Sequence, residues 1–285
     1  MNSARITTPS LARSSLCLLV ASLLGCASAW ADVAALEQAV AGDQRTPSYA
    51  ARDAYRNPVQ TLALFDVQPY HTVVEIWPGG GWYTEILAPY LRTRGKLIAA
   101  HYDASDTQAS YRPRAREAFE RKLAANKRVY DQVEIASLMF DEAEKSLTIS
   151  AAPSGSADRI LTFRNTHGWR ARGLEHVAFE HFFDVLKPGG KLGVVQHMAD
   201  EDQDWMSRNI GYLGRDYVIA VATAAGFELE AEGFFNLNPL DTKRHENGVW
   251  QLPPNLRGLE SDAEKDRHRA IGESERMTLL FVKPE

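Results

Sequence analysis

Short apolar runs alternate along the chain with longer stretches of helical spacing. Val73 to Ile76, Gly95 to Ala100, Val133 to Phe140, Ala157 to Phe163, Lys191 to Val195, Glu228 to Gly233 and Met277 to Val282 read as strands. They are short, and most are rich in apolar or β-branched residues, as buried parallel strands are. Ser146 to Ser150 adds a small extra strand. Helical spacing marks Val33 to Val40, a segment around Thr61, Leu62, Leu64 and Phe65 that Pro69 ends, and a helix from near Trp82 with Ile86, Leu87, Tyr90 and Leu91 inward. Further helices are expected over Arg112 to Lys127, Leu174 to Leu186 and Tyr212 to Ala225. Strands alternating with helices predict an α/β domain: a Rossmann-like, seven-stranded sheet with helices on both faces.

The first strand carries the strongest local signal. Glu75 lies near its end, then Trp77-Pro78-Gly79-Gly80-Gly81-Trp82 lead into the helix. Gly79, Gly80 and Gly81 let the backbone turn sharply and approach a ligand closely. Strand, glycine turn and helix form the first unit of a nucleotide-binding sheet, where free N–H groups at the helix start face the ligand. The dinucleotide fingerprint needs a third glycine where Thr84 stands, so a nicotinamide cofactor is disfavoured.

Ligands in open α/β sheets bind outside the carboxyl ends of the strands, and other candidates sit there. Asp103 follows the second strand, where an acid holds ribose hydroxyls. Arg164, Asn165, His167 and Trp169 follow the fourth main strand. A guanidinium, an amide, an imidazole and an indole there would make a polar, aromatic-walled pocket, with His167 as a general base near neutral pH. Alternatively, His167 satisfies a loop hydrogen bond and Trp169 packs the rim. Tyr83 and His197 are further candidate substrate contacts. Arg52, Asp53 and Arg56 fall one turn apart and form either an exposed ion-paired face or part of a lid.

Composition narrows the class. The 285 residues are 45% apolar and 24% charged, ordinary for one globular domain. Residues 1–31 stand apart: Arg5 and Arg13, an apolar run from Leu16 to Gly25, and Ala29-Trp30-Ala31 before Asp32 read as a secretory signal peptide. A periplasmic location follows, with residues 32–285 as a single domain. Within it, 32–70 is a helical lid segment and 236–272 a long loop or flap. Both cysteines, Cys17 and Cys26, lie in the leader. Leu23-Leu24-Gly25-Cys26 offers the alternative of a lipoprotein anchored through Cys26. With 32 basic residues against 37 acidic ones and no basic run, nothing marks a nucleic-acid surface, and a small-molecule substrate is expected. No Gly-x-Ser-x-Gly and no metal-ligand spacing among eight histidines supports a hydrolase or a metal site.

Glu75 with its glycine turn resembles motif I of class I S-adenosylmethionine-dependent methyltransferases. Leu186-Lys187-Pro188-Gly189-Gly190 before a strand, and helix, Ala225-Gly226-Phe227, strand, are similar to that fold elsewhere. Together with Arg164 to Trp169, Gly248-Val249-Trp250 and Gly272 to Met277, these motifs resemble an exported bacterial family of predicted class I methyltransferases, over roughly Arg45 to Pro284. The resemblance implies S-adenosylmethionine as cofactor. Glu75 would hold its ammonium, Gly79 to Gly81 would clear room for its carboxylate end, and Asp103 would bind its ribose. Arg164, Asn165 and His167 would serve transfer, and Trp169, Tyr83 and His197 the acceptor. Trp77 falls among the cofactor-contacting residues where the family has a glycine. A non-catalytic periplasmic binder of small metabolites on the same fold is the alternative.

Overall fold

The computed structural model describes Met1 and residues 33–285 other than 107, 108 and 142. The leader, with Cys17, Cys26 and the cleavage site, lies outside the described residues. Among the described residues eight strands form one sheet: β1 Thr72–Ile76, β2 Lys96–Tyr102, β3 Val133–Asp141, β4 Ser146–Ile149, β5 Ala157–Phe163, β6 Leu186–His197, β7 Glu228–Gly233 and β8 Arg276–Val282. Their order is β4-β3-β2-β1-β5-β6-β8-β7. The inner pairs β3–β2, β2–β1, β1–β5 and β5–β6 are parallel. The last strand runs antiparallel between β6 and β7.

The expected seven strands become eight because Ser146–Ile149 folds back on β3 as an antiparallel edge strand. Its short, exposed-alternating pattern caps that edge. The helices are α1 (33–40), α2 Pro47–Ala50, α3 Asp53–Arg56, α4 Pro58–Leu64, α5 Thr84–Leu91, α6 Tyr111–Ala125, α7 Lys127–Tyr130, α8 Thr166–Arg170, α9 Glu175–Val185, α10 Arg215–Ala224 and α11 Asp262–Ile271. No helix among the described residues is long and apolar enough to cross a membrane.

The period-two alternation of the strands divides the core between the two faces. Val74, Ile76, Ile98, Ala100 and Ile160 join Phe179, Phe182 and Val218 from α9 and α10 on one face. Val73, Leu97, Ala99 and Leu161 meet Leu36, Leu62, Ile86 and Phe119 from α1, α4, α5 and α6 on the other. Each fully buried Leu, Ile or Phe contributes about 1.5–3 kcal/mol. Glu75 alternates onto the second face, beneath α5, and this placement matters for the site.

Leu186 to Gly190 behave differently from a plain helix-to-strand turn. The ladder pairs Ala157 with Leu186 and then Arg159 with Lys191, so the intervening residues loop out as an irregularity at the start of β6. Gly189, at φ +69°, donates its N–H to Lys283 O at 2.9 Å and ties this excursion to the end of β8. Farther along β6, Gly193 gives way to the Phe65 ring: an added Cβ would meet ring atoms at 2.5–2.8 Å. Gly193→Ala should therefore destabilise the fold by about 1–3 kcal/mol through overpacking, read as a lower urea midpoint. An unchanged midpoint would show that Phe65 repacks freely.

Candidate active site

The carboxyl ends of β1, β5 and β6 enclose a hollow of about 330 Å³. Its wall includes Glu75, Trp77, Gly79, Gly80, Tyr83, Arg164, Asn165, His167 and His197. Of the residues expected from sequence, Gly81, Asp103 and Trp169 are not part of it. Gly81 (φ +81°) packs behind the turn, where a Cβ would meet Phe119 at 3.0 Å. Trp169 is fully buried: α8 begins directly after β5 and turns the indole inward against Phe179 and Phe182. It is a core residue, so the expected substrate contact is corrected.

The turn after β1 is left-handed at Trp77 (φ +44°) and again at Gly79 (φ +60°). A Cβ at Gly79 would point into open space, whereas one at Gly80 would strike the Tyr49 hydroxyl at 2.3 Å. The turn is pinned from outside: Gly79 O meets His101 Nε2 at 3.2 Å, and Gly80 O accepts from Lys122 Nζ at 2.8 Å. Because Tyr102 N–H donates to His101 Nδ1, that ring serves as acceptor on one side and donor on the other, which requires neutral imidazole. Glu75 is 1% exposed and its Oε2 accepts from the Thr84 hydroxyl at 2.6 Å. Burial raises its pKa to about 7, against the opposing Thr84 hydrogen bond and Lys122 charge.

Trp77 decides the shape of the site. Its indole leans over the ends of β2 and β3, with ring centroids 4.9 Å from Tyr102, 5.9 Å from Phe140 and 5.6 Å from Trp169. A second hollow of about 230 Å³ lies beyond it, lined by Asp103, Ser105 and Phe140, and Trp77 is the one residue lining both. Glu75 and Asp103 thus sit on opposite sides of the indole. Asp103 is exposed enough to contact water, and bonds from Ser105 lower its pKa.

At the end of β5, Asn165 donates its amide to Ile76 O at 2.9 Å and to Thr162 Oγ1 at 3.2 Å. His167 faces the Gln196 amide at 3.3–3.4 Å, and its ring lies 5.5 Å from His197 and 5.9 Å from Trp250. Burial holds the His167 pKa down to about 4, with the Gln196 bond opposing and the Arg164 charge adding to it. This differs from the expected titration near neutrality. The ring is neutral at pH 7, free to accept a hydrogen bond but a weak base. His197 bonds the Ser274 hydroxyl and is likewise held well below its usual range by burial.

The hollow also contains residues that local patterning did not single out as site residues. Arg52 and Arg56 are not an exposed face; Arg56 is 2% exposed, and both bind Glu273 from across the fold. Arg56 and Arg45 stack over the Trp82 indole, whose N–H donates to Tyr49 O. Glu85, fully buried, accepts from Thr46 N–H and hydroxyl and from Lys122, fastening residues 45–49 over the turn. Trp250, Pro253 and Pro254 close the opposite side, from a loop whose Asp241 bonds Tyr212, His245 and two backbone N–H groups. The aromatic and proline content of that loop was a usable signal. The partnership of Arg52 and Arg56 with Glu273, more than two hundred residues away, left no local one.

A larger hollow of about 810 Å³ opens near Met198, Trp205, Glu232 and Lys243 and holds none of these groups. Its basic groups are both paired with acids, Arg215 with Glu232 and Lys243 with Asp200 and Glu275. The smaller hollow is the candidate site because its charges are left over. Among the described residues no group of His, Cys, Asp and Glu side chains is arranged to hold a metal ion.

Comparison with solved structures shows the fold to be one shared with S-adenosylmethionine-dependent methyltransferases and with a cyclase. A SAM-dependent methyltransferase from Aquifex aeolicus superposes with a TM-score of 0.52 at 16% identity, over 83% of this chain and 93% of that one. The [4+2]-cyclase SpnF does so at 0.53 and 17%, over 88% and 92%. The S-adenosylmethionine-dependent methyltransferase SibL, in its apo form, gives 0.50 and 14%, over 84% and 57%. No family model matches the chain, and no curated protein matches it by sequence.

Acid should loosen the turn through His101. Burial holds this fully buried ring at about 4, with the Gly79 bond opposing. A folded-state pKa below the unfolded 6.5 contributes stability that is present above pH 6.5 and lost as pH falls toward 4, of order 3 kcal/mol for one ring. Glu75, raised to about 7, works oppositely, stabilising below its unfolded 4.5 and losing that contribution as pH rises through 7. Urea midpoints measured from pH 7 to 4 should fall for the wild type and fall less steeply for His101→Gln. Equal slopes would mean that His101 is already protonated or solvated in the folded state.

Proposed function

We propose that the chain binds S-adenosylmethionine at the carboxyl edge of the sheet and transfers its methyl group to a small-molecule acceptor. The observation that carries this reading is the Glu75 carboxylate, buried at the end of β1 beside an open Gly79 and facing the hollow. Such a group fits a ligand ammonium. The amino-acid end would be held there, and Asp103, which lines the second hollow beyond the indole, would take the ribose hydroxyls. With Trp77 where it stands, the path between the two is closed, so the indole must turn aside for the nucleoside to lie across it.

S-adenosylmethionine, when bound, supplies a methyl group on a positively charged sulfur that an acceptor lone pair displaces. The chain's own part is to hold, orient and dehydrate. Glu75 fixes one end, and Asn165 stands on the wall of the hollow with its amide N–H committed to Ile76 O and Thr162 Oγ1. Neutral His167 accepts a hydrogen bond from the acceptor's N–H or O–H. Since positioning supplies most of the rate in such a transfer, His167→Ala should lower turnover by tenfold or less. A loss of about a thousandfold would restore it as an essential base.

A second reading, a binder without catalysis, draws on the same indole: Trp77 separates Glu75 from Asp103. Titration of the mature protein with S-adenosylmethionine and S-adenosylhomocysteine, followed by tryptophan fluorescence, distinguishes the two. Under the first reading both bind, Glu75→Gln weakens binding at least tenfold, and wild-type affinity rises roughly tenfold from pH 6 to 8 as Glu75 ionises. Trp77→Gly, which removes both the indole and a left-handed side chain, should tighten binding. Absence of binding by the wild type and by Trp77→Gly would reject methyl transfer.

Export rests on the leader, and the same protein purified from native cells tests it by mass spectrometry. A chain beginning at Asp32 supports a periplasmic protein, a lipidated Cys26 supports the anchored alternative, and an intact leader removes both.

A further inference from the structure

The hollow carries more positive charge than its own carboxylates balance. Glu273 receives Arg52, Arg56 at 3.1 Å and Arg276 at 2.9 Å, three guanidinium groups on a single carboxylate. A fourth, Arg164, lines the same hollow and makes no side-chain hydrogen bond or ion pair among the described residues. Arg52 and Arg56 each keep one buried terminal nitrogen, Nη2, without a partner. Four guanidinium groups therefore surround one carboxylate, Arg56 and Arg276 buried and Arg52 and Arg164 partly exposed, and Glu75 is the one other acid on the wall of the hollow. Arginine does not shed its proton there, so the excess charge and the buried open donors suit a partner from outside.

We infer that Arg52, Arg56 and Arg164 form an anion subsite that takes a carboxylate or phosphate group on the methyl acceptor. This rests on the methyl-transfer reading for the word acceptor; the subsite itself rests on the arginines. The planar donors of guanidinium suit bidentate contact with either oxyanion. Location favours the acceptor over the cofactor. The cluster is built from α3, the end of β5 and the start of β8, next to His167 and Trp250, while Glu75 and Gly79 define the amino-acid end at β1. Crowding of like charge is already visible. Burial and then Arg164 bring Arg56 down to about 9, and Glu273, although burial alone would raise it, is held at about 2 by the four arginines.

The subsite predicts opposite responses from two kinds of variant. Inorganic phosphate and succinate, titrated separately in a chloride-poor buffer, should bind the wild type saturably and raise its melting temperature. Arg164→Gln, which breaks no ion pair, and Arg52→Gln, on a partly exposed side chain, should each weaken phosphate at least tenfold while keeping a native circular dichroism spectrum. Glu273→Gln removes the competing carboxylate, so it should melt lower in anion-free buffer and recover more than the wild type when phosphate is added. Repeating the titration with saturating S-adenosylhomocysteine separates the two sources of oxyanion. Undiminished phosphate binding places the subsite with the acceptor. Competition would assign the arginines to the cofactor's carboxylate and overturn the inference. No binding of either anion at tens of millimolar would also overturn it. Phosphate binding without any S-adenosylhomocysteine binding, by the wild type and by Trp77→Gly alike, would uphold the subsite and remove the methyl-transfer reading alone.

Discussion

The site depends on one backbone constraint: the chain leaving β1 must turn left-handed at residue 77 and again at residue 79 before α5 can start. The first of these positions is held by tryptophan. An L-residue in that region costs roughly 1–3 kcal/mol, and such strain persists only where surrounding contacts over-determine it. Here the indole is clamped by Tyr102, Phe140 and Trp169 while the backbone N–H of Trp77 donates to Ala100 O at 2.8 Å. A glycine would meet the backbone requirement without strain. The tryptophan meets it and also fills the space over β2 and β3, so one residue sets both the turn and the partition of the cleft.

What surrounds the turn is arranged to keep it. His101 and Lys122 hold its carbonyls, Thr84 holds Glu75, and Glu85 draws residues 45–49 down over it. Glu273 then fastens α3 to the start of β8 through Arg56 and Arg276. Removing that carboxylate would leave buried guanidinium groups facing one another, a costlier change than deleting one surface ion pair. The N-terminal segment is therefore part of the site wall and not an appendage to the sheet.

Most of the fold was legible in the sequence because its signals are local. Periods of two and of helical spacing placed seven of the eight strands, and Gly79 to Gly81 and Leu186 to Gly190 marked turns whose geometry needs those residues. The eighth strand was visible as a short run, but a four-residue edge strand carries too little pattern to enter the sheet count. The site was only half legible. Glu75, Asn165, His167, His197, Tyr83 and Arg164 come together because strand ends in a parallel sheet converge wherever the loops go. Trp169 left the site because the phase of α8 was invisible, and a shift of one or two residues in a helix start rotates an indole from cavity to core. Arg52 and Arg56 looked like a solvated helix face because a local reading pairs charges with near neighbours, while Glu273 reaches them only through the tertiary fold.

The same asymmetry explains why the charges, more than the size of the hollows, locate function. A cavity between packed elements can arise wherever loops are long, and the 810 Å³ hollow has already matched its bases, Arg215 and Lys243, with acids. In and beside the smaller one the accounts do not balance: a carboxyl at about 7 has only a hydroxyl for a direct partner, and three guanidinium groups share one carboxylate while Arg164 pairs with none. Folding tolerates such imbalance at a cost, because burying uncompensated charge works against stability. Two groups of opposite sign, left without ionic partners on the wall of one hollow, are together complementary to a positively charged group at Glu75 and a negatively charged one at Arg164. That pairing of signs is a property of this chain's own side chains, and it constrains any ligand whatever Trp77 does.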